Sequence, residues 1–312
     1  MEKRRIGDLE VTLVGLGCNN FGGRLDQDRT TAVVNAALDA GINLFDTADV
    51  YGGGLSEEYL GKALGARRSE VLIATKFASP VDDDPAHRGA SARWIGEAVE
   101  RSLRRLGSDY IDLYQQHRPD PDTPLEETVE ALDKLVSEGK VRQVGHSNFD
   151  AAMIEQADRI AGDKGLNRFV SAQNQLSLLD RRALNDVVPA CARHGLGFLP
   201  FFPLANGMLT GKYRRGAEPP AGSRLANIPA DRAARAFSDS TFDLIEALEG
   251  FASARGHTLL ELAFAWLTAQ PAMASVIAGA TSPEQVKANA AAASWTLTAE
   301  DLAELDELLQ AR

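Results

Sequence analysis

The spacing of apolar and polar positions alternates between two patterns along nearly the whole chain. Short apolar runs bounded by turn residues read as strands buried on both faces. They are Val14 to Gly17, Leu44 to Asp46, Val71 to Thr75, Ile111 to Gln115, Arg142 to His146, Val170 to Asn174, Gly197 to Phe201 and Ser275 to Ala278. Between them the spacing switches to the 3.6 period of amphipathic helices. The clearest helix is Ser91 to Leu106, where Trp94, Ile95, Ala98, Val99, Ser102, Leu103 and Leu106 share a face and Gly107 follows as a stop. Another opens on Thr123-Pro124-Leu125-Glu126, read as a capping box with proline at the first helical position, and runs through Val129, Leu132, Leu135 and Val136 to Gly139. Helices are also expected from about Asp28 to Ala40, Ser56 to Leu64, Asp150 to Ala161, Arg181 to Arg193 and Pro283 to Ala293. Two more, near Thr241 to Ala254 and Leu259 to Ala269, fall between the seventh and eighth strands, and a last one runs from Thr298 to Leu309.

Alternating strand–helix units imply parallel strands joined by right-handed crossovers, and eight of them in about 300 residues fit a closed barrel better than an open sheet. The fold class expected is therefore α/β, a (β/α)8 TIM barrel with extra C-terminal helices, spanning 1–312 as a single domain. No Pro/Gly/Ser-rich linker divides it. The opening Arg4-Arg5-Ile6-Gly7-Asp8-Leu9-Glu10-Val11 reads as a short β-hairpin about a Gly-Asp turn, placed to plug the N-terminal end of the barrel.

Composition narrows the class. With 44% hydrophobic and 25% charged residues among 312, the chain can build a large core without staples. Its 33 basic and 44 acidic residues leave a net charge of -11, with no basic run that suits nucleic acid. The first dozen residues have no signal-peptide pattern, and no run approaches the roughly 18 apolar residues of a membrane span. A cytoplasmic protein with no membrane or nucleic-acid partner is expected. With only two cysteines, Cys18 and Cys191, no disulfide framework is expected, and the five histidines show no metal-ligand spacing, so no metal is assigned.

Four polar residues carry the candidate chemistry: Asp46, Lys76 and His117 close predicted strands, and Tyr51 lies in the loop after one of them. In a barrel of this kind the C-terminal strand ends and the loops after them build the active site. A tyrosine ionises near pH 10, and an ammonium about 4 Å away favours its phenolate. Lys76 can supply that charge, and Asp46 can keep the buried lysine protonated. His117 is placed to hydrogen-bond a carbonyl oxygen. Protonating that oxygen while hydride reaches its carbon is carbonyl reduction, and since no side chain donates hydride, a nicotinamide cofactor is implied. Taken singly, each residue has a plainer explanation as a cap, a loop cover or a solvated strand end. Their joint order and placement favour the chemical one.

The residues also carry a family resemblance. The chain resembles the aldo-keto reductases over almost its entire length, through Gly41-Ile42-Asn43-Leu44-Phe45-Asp46-Thr47-Ala48-Asp49-Val50-Tyr51-Gly52, Ala74-Thr75-Lys76, Asp109-Tyr110-Ile111-Asp112-Leu113-Tyr114-Gln115-Gln116-His117 and Gly145-His146-Ser147-Asn148-Phe149. By that resemblance Asp46, Tyr51, Lys76 and His117 match the catalytic tetrad, with Tyr51 the general acid in reduction and the base in oxidation. Ser147, Asn148 and Gln173 match the residues that hold the nicotinamide carboxamide, and Phe201 stands where a tyrosine usually stacks on the ring. Pro203, Leu204, Asn206, Gly207, Leu209, Gly211 and Lys212 match the loop over the pyrophosphate, with Lys212 a phosphate partner. Gly279, Ala280, Thr281, Ser282, Gln285 and Asn289 match the adenosine site at a helix N-terminus. Gly279 and Gln285 replace the Lys and Arg that many members set against a 2′-phosphate, and Ala278 replaces a common proline. NADP(H) is expected, served by backbone amides, Thr281, Ser282 and Lys287, with NAD(H) as competitor.

The partner expected is a small-molecule carbonyl compound. Cys18, Asn19, Asn20 and Phe21 after the first strand should border the cofactor and substrate, with Phe77 to Gly89, the run from Phe202 and the C-terminal tail completing the rim. The long segment Arg214 to Ser240, bearing Arg214, Arg215 and Arg224, is expected to close over the cofactor and slow its release. Two other readings stand beside the reductase. One is a redox-sensing or regulatory barrel, as in the potassium-channel subunits that share the family fold. The other is a lyase using Lys76 as a Schiff-base nucleophile, which needs no nicotinamide.

Overall fold

A computed structural model describes residues 1–226 and 228–310. It begins with the expected hairpin, in which β1 (Lys3–Ile6) pairs antiparallel with β2 (Leu9–Thr12). Eight parallel strands follow: β3 (Val14–Gly17), β4 (Leu44–Asp46), β5 (Leu72–Phe77), β6 (Ile111–Gln116), β7 (Val141–Ser147), β8 (Ser171–Gln175), β9 (Gly197–Phe201) and β10 (Val276–Gly279). They form one sheet ordered β10-β3-β4-β5-β6-β7-β8-β9. A parallel bridge between Phe198 and Met273 brings its two ends together, giving the (β/α)8 TIM barrel.

The hairpin fills the lower end of the barrel. Ile6, Leu9 and Val11 are fully buried against Leu44, Ala74, Leu113, Leu199, Ala274 and Ile277, a cluster separate from the larger core between strands and helices. At roughly 1.5 to 3 kcal/mol for each large apolar side chain removed from water, the plug is a substantial part of the core. Gly197, the first residue of β9, lies so close that a Cβ there would meet Ile6 Cγ1 at 2.8 Å. With the N-terminal end sealed, the C-terminal end is left for chemistry.

The helices are α1 (Gln27–Asp39), α2 (Leu55–Leu64), α3 (Ala92–Leu106), α4 (Leu125–Ser137), α5 (Ala151–Lys164), α6 (Val187–His194), α7 (Ala230–Ala236), α8 (Asp239–Ser253), α9 (Leu259–Thr268), α10 (Pro283–Ala292) and α11 (Ala299–Gln310). The helix read most clearly from sequence, α3, starts where the Ser91 side chain accepts from Trp94 N and stops at Gly107, which has φ 60°.

Three local readings differ from the structure. At α4 there is no capping box: Pro124 is itself the cap, and the Thr123 hydroxyl donates to Asp120 Oδ2 at 2.7 Å. Asp120 also collects the Ala90 and Asp122 amides and so takes the hydroxyl away. The helix expected from Arg181 to Arg193 divides into a turn at Arg182–Leu184 and α6, because Pro189 has no N–H and fits only the first turn of a restarted helix. Finally, Arg214 to Ser240 contains α7, whose alanine-rich sequence has no apolar stripe to reveal it.

Candidate active site

Asp46 ends β4, Lys76 is next to last in β5, which continues beyond Thr75, and His117 follows β6. Three adjacent parallel strands thus present them at the C-terminal rim. Tyr51 comes from the turn after β4. The turn passes so close to the loop after β3 that a Cβ on Gly52, at φ +59°, would lie 2.7 Å from the Phe21 carbonyl oxygen, so only glycine lets Tyr51 turn inward here. Ser56 pins the turn by donating to the Cys18 carbonyl at 2.9 Å and bonding Thr47 Oγ1 at 2.8 Å. Fully buried Glu57 accepts from Thr75 at 2.6 Å and from Arg105 at 2.7 Å.

The four side chains meet. Lys76 Nζ, wholly buried, donates to Asp46 Oδ2 at 2.7 Å and to the Thr47 carbonyl at 2.8 Å. It lies 5.1 Å from the centroid of the Tyr51 ring, which packs edge-on against His117 at 5.8 Å. Asp46 Oδ1 accepts from Gln173 Nε2 at 2.8 Å and from Gln115 Nε2 at 3.4 Å.

Burial and charge oppose each other in this cluster. Burial pulls the Lys76 ammonium down, but Asp46 and Tyr51 together outweigh it and hold its pKa above the ordinary lysine value. The lysine is a cation rather than a free amine, which does not suit Schiff-base chemistry. For Tyr51 the balance runs against the expectation from sequence. Burial raises its pKa, Lys76 lowers it, Asp46 raises it again, and the net direction is upward. The phenol therefore stays protonated through neutral pH. Burial, with Lys76 and Arg118 nearby, pushes the His117 imidazole down to about 3, so it is neutral and carries one N–H to donate.

Asp46, Tyr51 and His117 border a cavity of about 570 Å³ at the mouth of the barrel, with Lys76 buried behind them. Of the remaining sequence-predicted residues, Cys18, Asn19, Asn20, Ser147, Asn148, Gln173, Phe201, Pro203, Leu204, Asn206, Gly207, Lys212, Gly279, Thr281, Gln285 and Asn289 line it. Four do not. Leu209 and Ala280 are buried in the core, with the Ala280 carbonyl accepting from Asn20. Gly211 ends the Ala205–Thr210 turn, and Ser282 caps α10 through the Gln285 amide. Lys287 is exposed and off the wall, so a cation expected at the adenosine end is missing from it.

Backbone strain gathers on the same wall. Asn148, Phe202 and Asn206 line the cavity with φ of 62°, 52° and 57°. Gly207, at φ +94°, leaves room for Lys212, since a Cβ there would sit 2.7 Å from Lys212 Nζ. Asn148 Nδ2 donates to the His117 carbonyl at 2.9 Å and Ser147 Oγ to the Gln173 carbonyl at 2.7 Å. The side-chain oxygens of Asn148 and Gln173 keep no partner among the described residues.

The rim differs from expectation in three places. Phe21 is buried in the core instead of lining the wall. Phe77 to Gly89 supplies none of the wall, because Asp82 holds His87 at 2.8 Å and the Arg93 guanidinium holds the Ala86 carbonyl, fastening that loop to α3. Leu260, from α9, lines the cavity where the C-terminal tail was expected. Of the arginines singled out in the long segment, Arg214 pairs with Glu249, and Arg215 with Asp239, Asp243 and Glu246, all on α8. Arg224 instead lines the cavity, 5.5 Å above the Phe202 ring and without a carboxylate partner among the described residues. Arg24, which sequence reasoning missed, donates to the Gly222 carbonyl at 2.5 Å and straps this segment over the mouth. No grouping of three or more potential metal ligands occurs among the described residues.

Fold and site define a (β/α)8 barrel with a buried cluster of titratable side chains beside a cavity at its C-terminal mouth. The profile of the Aldo/keto reductase family matches residues 13–310, and the chain belongs to that family of carbonyl-reducing oxidoreductases. It is 35% identical over 319 residues to aldo-keto reductase YhdN of Bacillus subtilis (strain 168), covering 99% of this chain and 94% of that one. It is 38% identical over 274 residues to a probable voltage-gated potassium channel subunit beta of Oryza sativa subsp. japonica, covering 86% and 83%. Versiconal hemiacetal acetate reductase of Aspergillus parasiticus is 32% identical over 335 residues, covering 98% and 96%. No helix among the described residues is long and apolar enough to cross a membrane.

Proposed function

We propose that the chain is a cytoplasmic, nicotinamide-dependent reductase of aldehydes or ketones in which Tyr51 is the general acid. The observation that carries this is the buried Lys76–Asp46 pair beneath the Tyr51 ring, with neutral His117 edge-on beside it, opening on the cavity. The residues fit the cofactor. The free oxygens of Asn148 and Gln173 suit a carboxamide, the Phe201 face suits the nicotinamide ring, and Lys212 with Arg24 and Arg224 suits the phosphates. Bound nicotinamide supplies the hydride.

The chain's own residues handle the proton. His117 donates its N–H to the substrate carbonyl oxygen and orients it. Tyr51, protonated at neutral pH, releases its proton to that oxygen as negative charge develops there. Lys76 stabilises the phenolate left behind, and Asp46 keeps the lysine charged. Oxidation of an alcohol needs the phenolate at the start, so the raised Tyr51 pKa favours reduction at neutral pH and oxidation only as pH rises. NADP(H) is the preferred cofactor and NAD(H) a competent second, because Thr281 and Gln285 offer only neutral donors at the adenosine end.

Tyr51→Phe tests the assignment. It should cut carbonyl reduction about a hundredfold to ten-thousandfold while NADPH still quenches protein fluorescence with a near-normal Kd. Retained turnover would exclude Tyr51 as proton donor. A second reading, a cofactor-holding regulatory subunit, draws on the channel-subunit names of three relatives between 34% and 38% identical. Tight NADPH binding with no turnover across sugar, aliphatic and aromatic aldehydes would favour that reading.

A further inference from the structure

Gln115 is a buried side chain the mechanism has not used. It sits in β6, in register with Lys76 of β5 on one side and Gly145 of β7 on the other. It is wholly buried and does not line the cavity, so it touches neither substrate nor cofactor site. Gly145 makes its space, since a Cβ there would lie 3.3 Å from Gln115 Cγ. Its Oε1 has no partner among the described residues, an arrangement that costs free energy in a barrel interior. An apolar residue of the same length would avoid that penalty. What the glutamine provides is its other end, where Nε2 shares Asp46 Oδ1 with Gln173 Nε2, at 3.4 and 2.8 Å.

The sharing has a geometric consequence. With two carboxamides on Oδ1, the Asp46 carboxylate is held with Oδ2 turned to Lys76 at 2.7 Å. The second proton of the ammonium goes to the Thr47 carbonyl at 2.8 Å. Only the third remains, on the side of the Tyr51 ring. We propose that Gln115 is a positioning residue: together with Gln173 it fixes the Asp46 carboxylate and, through it, the Lys76 ammonium against Tyr51. The inference rests on the reductase reading above and adds a residue to it. It also gives Gln173 two duties, since its amide holds Asp46 while its oxygen stays free for the cofactor.

Gln115→Met removes the donor with little change in length, and Gln115→Asn shortens it beyond reach of Asp46 should the first variant fail to fold. Both are read by kcat and KM for carbonyl reduction, by Kd for NADPH from fluorescence quenching, and by the midpoint of the alkaline rise in alcohol oxidation. The expectation is a kcat lower by about tenfold, KM and Kd within about twofold, and a midpoint moved to higher pH, because a less satisfied Asp46 acts more strongly on Tyr51. A residue that only packs would lower the melting temperature and leave kcat and the midpoint unchanged, and that result in either folded variant overturns the proposal. Absence of turnover in the unmodified protein, with NADPH bound tightly, overturns the reductase reading first and this inference with it.

Discussion

Replacing Lys76 by methionine, alone and together with Asp46→Asn, measures what the buried ion pair does for folding separately from what it does for chemistry. At the 2.7 Å separation, Coulomb's law with an effective dielectric of about 20 gives about 6 kcal/mol of attraction. Taking two ions out of water costs several kcal/mol each, so the intact pair is close to neutral for stability. Lys76→Met leaves the Asp46 carboxylate buried without a cation, which should cost about 3 to 5 kcal/mol. With an unfolding entropy of about 2.1 cal/mol/K per residue over 312 residues, that is a melting temperature lower by about 5 to 8 °C.

The double variant removes both charges and should recover to within about 2 kcal/mol of the original stability. Activity should not recover. Without the ammonium, carbonyl reduction should stay down about a hundredfold or more in both variants, because nothing stabilises the Tyr51 phenolate. Urea unfolding followed by circular dichroism reads the first effect, and oxidation of NADPH with an aldehyde reads the second. A double variant no more stable than Lys76→Met would refute the charge argument, and full turnover in Lys76→Met would refute the role of the ammonium.

Three further outcomes are expected. The buried His146 imidazole stacks on Phe149 at 4.4 Å with both nitrogens unpartnered among the described residues, and burial pushes its pKa down to about 3. Its contribution is complete above the unfolded histidine value near pH 6.5 and is lost as pH falls toward 3, at up to about 1.4 kcal/mol per pH unit. His146→Phe should therefore lose less stability on acidification, and identical pH slopes in urea titrations would refute this. Gln285→Arg should increase the preference for NADPH over NADH about tenfold by fluorescence titration, because Gln285 Oε1 now serves the Thr281 amide and hydroxyl. A wild-type preference already above about a hundredfold would count against the neutral adenosine end. Arg24→Ala, which cuts the strap to Gly222, should speed NADPH release about fivefold in stopped flow, and an unchanged rate would leave the segment no part in retention.

Most of the architecture was legible because barrel strands are short and buried on both faces, so each apolar run gives its location and the polar residue closing it marks the rim. Asp46, Lys76 and His117 are readable for that reason, and the hairpin plug for its Gly7-Asp8 turn between two short strands. What escaped was set by partners distant in the chain. Nothing local distinguishes Arg224, facing the cavity, from Arg215, drawn away by three carboxylates of α8. Gln115 reads as one more residue of a strand until Asp46, 69 positions earlier, is seen beside it. The state of Tyr51 was hardest. Lysine proximity and burial act on the phenol with opposite signs, and a sequence can place both in one pocket without weighing them. Here burial is the larger. On the proposed reductase reading Lys76 therefore acts against a burial cost that its spacing does not reveal, and its task is to stabilise the phenolate formed as the proton leaves.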